Sequence, residues 1–257
     1  MAAILIDVEG VLHVSYEPIA GAAGAVRRLR DAGHRLRFVT NNTTRPRAKL
    51  AEELRGMGFE LSDEELQTTA WAAARALAGK RVLALTMSAI VEDLEGVELV
   101  GDGADAVLID GADVTEETGR VFSYMNLARA FAELETGAEL YCLHKNRWWQ
   151  TKQGALLDSG AFIAGLEYAA QINATVLGKP SSSFFAAALE ALDADPNQAL
   201  MVGDDVESDI RGAQLHGMQA VLVRTGKFRP DAFERSGVRP NALLSSIADL
   251  PEWLERR

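Results

Sequence analysis

Several short apolar runs in this chain end abruptly on a polar or acidic residue, and this pattern limits the fold more than any other feature. Ala2 to Ile6 runs into Asp7, with Gly10 soon after. Ala199 to Val202 runs into Gly203-Asp204-Asp205, and a further strand is predicted over Leu36 to Val39, ending in Thr40-Asn41-Asn42. Unbroken apolar runs, as opposed to alternating ones, suit strands buried on both faces of a parallel sheet. A helix is predicted from about Ile19 to Ala32, closed by Gly33. Pro46 opens another, which runs to about Met57 and stops at Gly58. Strand, helix, strand, helix is the order of a parallel α/β domain, and such sheets bind ligands beyond the carboxyl ends of their strands. Asp7 and Thr40 are expected there.

A helix is predicted over Thr69 to Ala78, and a second α/β set begins after it. Strands are predicted over Arg81–Leu85, Ala106–Ile109 and Glu139–Leu143, and helices over Asn126–Glu135 and Ala161–Ala170. Periodicity fits two arrangements equally: a continuation of one large sheet, or a separate inserted domain. Thr175 to Leu177 then leads into Gly178-Lys179-Pro180. Helices follow over Ser182–Leu192 and Ile210–His216, a strand over Ala220–Val223, and a short terminal helix over Ile247–Leu254.

The formal net charge of −11 argues against nucleic acid and anionic membranes as partners. It would also repel a phosphorylated substrate, so a site for one must cancel charge locally with a cation and basic side chains. Cys142 is the single cysteine, which rules out an intramolecular disulfide and a cysteine-rich zinc site. Ala2 to Ile6 is too short for a signal peptide or a membrane span, so the expected compartment is the cytoplasm. No H-E-x-x-H, G-x-S-x-G or Walker A sequence is present.

Asp7, Glu9, Asp204, Asp205 and Asp209 lie at or just after strand ends that one parallel sheet would make neighbours. Carboxylates so gathered repel one another unless a cation sits among them, and hard oxygen ligands suit magnesium. Taken singly, each is as readily a turn or helix cap. Asp7 is placed to attack phosphorus, giving an aspartyl-phosphate that water then hydrolyses. Glu9 could protonate the departing alcohol and then deprotonate the water. Thr40 and Asn41 could bind phosphoryl oxygens. Lys179, in a loop between strand and helix, could pair with Asp7 and neutralise charge on the phosphoryl group.

Asp7-Val8-Glu9-Gly10-Val11-Leu12, Thr40-Asn41-Asn42, Lys179-Pro180 and Gly203-Asp204-Asp205-Val206-Glu207-Ser208-Asp209-Ile210 together resemble, in order and spacing, the four motifs of the haloacid dehalogenase-like hydrolases. The resemblance spans nearly the whole chain. It implies a Rossmann-like parallel-sheet core with an inserted α/β cap of the type IIA branch. The core would take residues 1–77 and 175–257, and the cap 78–174. Arg147-Trp148-Trp149-Gln150 and Leu157-Asp158-Ser159-Gly160-Ala161-Phe162 resemble the cap segment that faces substrate, closest to the subgroup of phospholysine phosphohistidine inorganic pyrophosphate phosphatases.

The resemblance implies a magnesium-dependent phosphatase acting on a small phosphorylated substrate. Asp7, the Glu9 backbone carbonyl and Asp204 would hold the metal. Asp209 would hold metal-bound water or position Lys179, Asp205 would lie with it just outside the metal, and Thr40, Asn41, Lys179, Trp148 and Asp158 would contact substrate. Family phosphatases usually carry Asp where this chain has Glu9. A phosphomutase, or a weakly active protein that binds a phosphorylated ligand, would fit the same fold. Related proteins often pair, so a homodimer through apolar cap residues such as Phe122, Trp148 and Trp149 is a further expectation.

Overall fold

The computed structural model describes residues 2–151 and 154–256. The chain forms two compact units, one of Met1–Thr40, Arg47–Gln67 and Lys179–Arg257, the other of Asn41–Pro46 and Thr68–Gly178.

The first unit is built on a six-stranded sheet. Across it run Ala242–Leu244, Gln219–Val223, Ala199–Gly203, Ala3–Asp7, Arg35–Thr40 and Leu66–Thr68. Ala3–Asp7 lies near the middle, fully buried, which is why its sequence is apolar without alternation. It pairs in parallel with both neighbours, Ile6 opposite Val202 and Asp7 opposite Val39. That register carries Asp7, Thr40 and Asp204 to one edge of the sheet. The helix Ala22–Asp31 covers one face, burying Ala22, Ala25, Val26 and Leu29. This 3–4 spacing makes one apolar stripe on a helix.

The strand Ala199–Gly203 is followed by a wide π-helical turn, Val206–Arg211, and then by the helix Gly212–Leu215. The sequence predicted only the second of these. Asp205 caps the wide turn, its Oδ1 accepting the N–H groups of Glu207 and Ser208, each at 3.0 Å. The turn folds Asp209 back against Gly203, where a Cβ would lie 2.3 Å from the Asp209 side chain. Gly203→Ala should therefore destabilise the protein by about 1–3 kcal/mol, the usual cost of overpacking. Urea midpoints of variant and wild type measure this; coincident midpoints would show that Asp209 is not so closely packed.

The second unit has its own sheet of five strands, in the order Thr175–Val176, Glu139–Cys142, Ala106–Ile109, Arg81–Leu85 and Glu98–Leu99. Its pairings are parallel. The middle of the chain thus forms a second sheet and does not extend the first. The units change over at Gln67/Thr68 and Gly178/Lys179, where the sequence led us to expect 77/78 and 174/175. The helix Thr69–Ala76 packs with the second unit's core: Ala70, Ala73 and Leu77 bury with Val82, Ala106 and Leu108. Thr175–Val176 is likewise the edge strand of that sheet.

Phe122, expected as a surface contact in a dimer, is buried and stacks on Phe162 at 4.4 Å between ring centroids. It is therefore spent on the second unit's own core. Trp148 is exposed; the side chain of Trp149 lies outside the described residues. No helix among the described residues is long and apolar enough to cross a membrane.

Candidate active site

At the carboxyl edge of the first sheet, Asp7 ends its strand and Lys179 enters from the loop before the helix Ser182–Ala191. Lys179 Nζ donates to Asp7 Oδ1 at 2.5 Å and to Asp209 Oδ1 at 2.7 Å. All three side chains are buried. Burial alone would lower the lysine pKa, but the Asp209 and Asp7 carboxylates outweigh it and hold the ammonium above its ordinary value. Lys179 is thus a permanent cation fixed between two acids that are 172 and 30 residues away in sequence.

Asp204 completes the group. One carboxylate oxygen from each of Asp7, Asp204 and Asp209 lies within 4.8 Å of the others. Burial first, then repulsion from Asp7 and Asp209, pushes the Asp204 carboxyl up to about 8. Its Oδ2 accepts the Lys227 backbone N–H at 2.6 Å, whereas its Oδ1 is buried with no partner among the described residues. A buried acceptor without a donor carries a desolvation cost that a cation would remove. Three carboxylates, one of them with an orphaned oxygen, are a donor set that fits a hard divalent metal.

Glu9 stands two residues beyond Asp7, outside the regular strand. A small hairpin of His13–Val14 and Glu17–Pro18 gathers its carboxylate. Glu9 Oε1 accepts the Ser15 N–H at 2.9 Å, and Oε2 lies 3.0 Å from Nδ1 of the buried His13. Burial would raise the Glu9 pKa, but His13 and the Ser15 N–H more than offset this and hold it below its ordinary value. The Glu9 side chain remains half-exposed.

Thr40 is buried at the end of the strand beside Asp7. Asp205 sits at the site's margin. Besides capping the wide turn, it donates its own N–H to Asp209 Oδ2 at 3.1 Å, and its Oδ2 lies 3.7 Å from Lys227 Nζ. Asp7, Glu9, Thr40, Lys179, Asp204, Asp205 and Asp209 all belong to the first unit. Asn41, Trp148 and Asp158 belong to the second. There the buried Asp158 accepts the N–H groups of Ser159 at 2.7 Å and Ala112 at 3.2 Å, so its carboxylate organises two loops.

Three further residues at Asp204, namely Thr225, Gly226 and Lys227, stand outside the motifs of the sequence. The signal was present: the apolar run Ala220 to Val223 ends on a polar segment just as the runs before Asp7 and Asp204 do.

The chain matches a haloacid dehalogenase-like hydrolase family model over residues 4–100, and a second, HAD-hydrolase-like model over residues 176–250. It is 40% identical over 255 residues to the phospholysine phosphohistidine inorganic pyrophosphate phosphatase of Xenopus laevis, covering 96% of this chain and 92% of that one. The chain belongs to the haloacid dehalogenase-like hydrolases. Within them it is a phosphatase. A p-nitrophenyl phosphatase from Archaeoglobus fulgidus superposes with a TM-score of 0.90 at 26% identity, over 98% of both chains. A glycerol phosphate phosphatase from Mycobacterium tuberculosis, solved in complex with magnesium, superposes with a TM-score of 0.84 at 27% identity. That match covers 98% of this chain and 77% of the other. Phosphatases of this family generally use a divalent metal, and the carboxylates around Lys179 are where this chain could hold one.

Proposed function

We propose that this haloacid dehalogenase-like phosphatase hydrolyses small phosphate monoesters, phosphoamidates or pyrophosphate through an aspartyl-phosphate on Asp7, with magnesium as the metal. The observation that carries the reading is the buried ion triad of Asp7, Lys179 and Asp209, with Asp204 beside it. A nucleophilic carboxylate approaching an anionic phosphoryl group must be relieved of charge repulsion. Lys179 supplies one fixed positive charge at Asp7. A divalent cation held by Asp7, Asp204 and the Glu9 carbonyl would supply the rest and act as a Lewis acid toward the phosphoryl oxygens.

In the first step the Asp7 carboxylate forms a bond to phosphorus and the bond from phosphorus to the leaving group breaks. Glu9 gives its proton to the departing atom. In the second, Glu9 takes a proton from water, water attacks phosphorus, and Asp7 is released together with phosphate. His13 and the Ser15 N–H favour the ionised form of Glu9, whereas an incoming phosphoryl dianion would favour the protonated form that the first step requires. Thr40 would hold a phosphoryl oxygen at the sheet edge. Asp209 would keep Lys179 in place, and Asp205 would keep the turn that carries Asp209. The second unit, with Asn41, Trp148 and Asp158, would serve as the cap that selects the leaving group. Its type IIA resemblance supports that role.

The test is a screen of phosphate esters, phosphoramidates and pyrophosphate for free phosphate, with magnesium and with EDTA. Release with magnesium and none with EDTA is expected. No release from any compound would overturn the reading and favour a protein that only binds a phosphorylated ligand.

A further inference from the structure

The strand that bears Asp204 lies between the strands Ala3–Asp7 and Gln219–Val223, and the loop after each neighbour closes over its carboxylate. Gly10 comes from one side and Gly226 from the other. A Cβ at Gly10 would lie 1.9 Å from Asp204 Oδ2, and one at Gly226 2.0 Å from the same oxygen. Both glycines have positive φ, +85° and +62°. The two loops are tied together: Thr225 Oγ1 donates a hydrogen bond to the Gly10 carbonyl. The Lys227 backbone N–H then donates to Oδ2 at 2.6 Å. The other oxygen, Oδ1, is left buried and without a partner among the described residues.

We infer that Thr225, Gly226 and Lys227 form a positioning clamp that engages one oxygen of Asp204 so that the other is presented, already oriented, to the metal. The inference rests on the reading of Asp204 as a metal ligand. Its physical basis is that a carboxylate free to rotate must be ordered when the cation binds, whereas one fixed by a backbone donor and two close glycines has been ordered by folding. The clamp uses the Lys227 N–H and not its side chain, which is exposed and lies near Asp205. Neither glycine leaves room for a side chain between loop and carboxylate.

Titration calorimetry of the full chain with magnesium chloride, without substrate, tests the clamp independently of catalysis. Gly226→Ala should raise the magnesium dissociation constant about 10- to 100-fold, the usual effect of losing a partner that orients a metal ligand. Thr225→Val leaves the backbone unaltered and should raise it about two- to tenfold, the worth of one net hydrogen bond. Thr225→Ser should restore it. Lys227→Ala keeps the N–H and removes a competing cation, so affinity should not fall. Melting temperatures in EDTA identify a variant whose fold is damaged; should Gly226→Ala be one, Thr225→Val and Thr225→Ser decide alone. Unchanged affinity in Thr225→Val, a loss in Lys227→Ala, or a wild type that does not bind magnesium would overturn the clamp. A wild type that binds magnesium yet releases phosphate from no compound would overturn the phosphatase reading instead, and the variants would still decide the clamp.

Discussion

Asp7→Asn should abolish phosphate release, by a factor on the order of 10⁴ or more, because the amide oxygen of Asn is no nucleophile toward phosphorus. The substitution removes one partner of a buried cation. Loss of a buried ion-pair partner can cost about 3–5 kcal/mol, but here Asp209 still accepts from Lys179 at 2.7 Å. The variant should therefore remain folded, and loss of activity would report chemistry and not collapse. Two measurements check this: steady-state phosphate release, and acid-quenched labelling of the protein with a radioactive phosphate ester. Wild type should carry label and Asp7→Asn none. Full turnover in the variant would exclude the covalent route.

Glu9→Gln should slow hydrolysis of esters with poor leaving groups by about 10²–10⁴, the range for loss of a general acid–base group. Gln preserves length and can still accept the Ser15 N–H that Glu9 accepts at 2.9 Å. It offers His13 no charge and has no proton to give a leaving alkoxide. An ester with a good leaving group, such as p-nitrophenyl phosphate, needs little protonation of its leaving group and should phosphorylate Asp7 of the variant almost as fast as that of wild type. Water attack on the aspartyl-phosphate still lacks its base, so a burst of nitrophenol followed by slow turnover is expected. Glu9→Asp should retain activity, although the shorter chain gives up reach toward Ser15 and His13. Equal rates for wild type and Glu9→Gln on an alkyl phosphate, with chemistry rate-limiting, would remove Glu9 from the mechanism.

Both expectations depend on residues whose placement was legible to different degrees. Asp7 and Asp204 follow unbroken apolar runs, which suit strands buried on both faces of a parallel sheet, whereas the run before Thr40 is broken by Arg37. Lys179 was legible more weakly, as a lysine in a loop between strand and helix. Its separation from Asp7 by a whole second unit hides their contact from any local pattern. Spacing alone does not separate Asp205 from Asp209, two acids in one short segment, although the family resemblance already implies that Asp209 holds metal-bound water or positions Lys179. The wide turn separates them, sending Asp205 to its own N-terminal donors and Asp209 to Lys179. A π-helical turn leaves little mark on hydrophobic periodicity, so nothing in the spacing announced that split.

What the sequence determined by itself is the set of strand ends: where apolar runs stop, which polar groups stand there, and that the strands are parallel and buried. These are consequences of side-chain partition between water and core, which act along a few residues at a time. The tertiary structure alone decided where each polar group points. Lys179 bridges Asp7 and Asp209, Glu9 meets the hairpin that follows it, Asp158 meets backbone donors, and Phe122 is drawn into its own core. The loop of Thr225, Gly226 and Lys227 reaches Asp204 and Gly10 only because their strands are neighbours in the sheet. Hydrogen bonds and ion pairs are directional and short-ranged, so their partners are settled by which strands and turns become neighbours, and residues distant in sequence supply most of them.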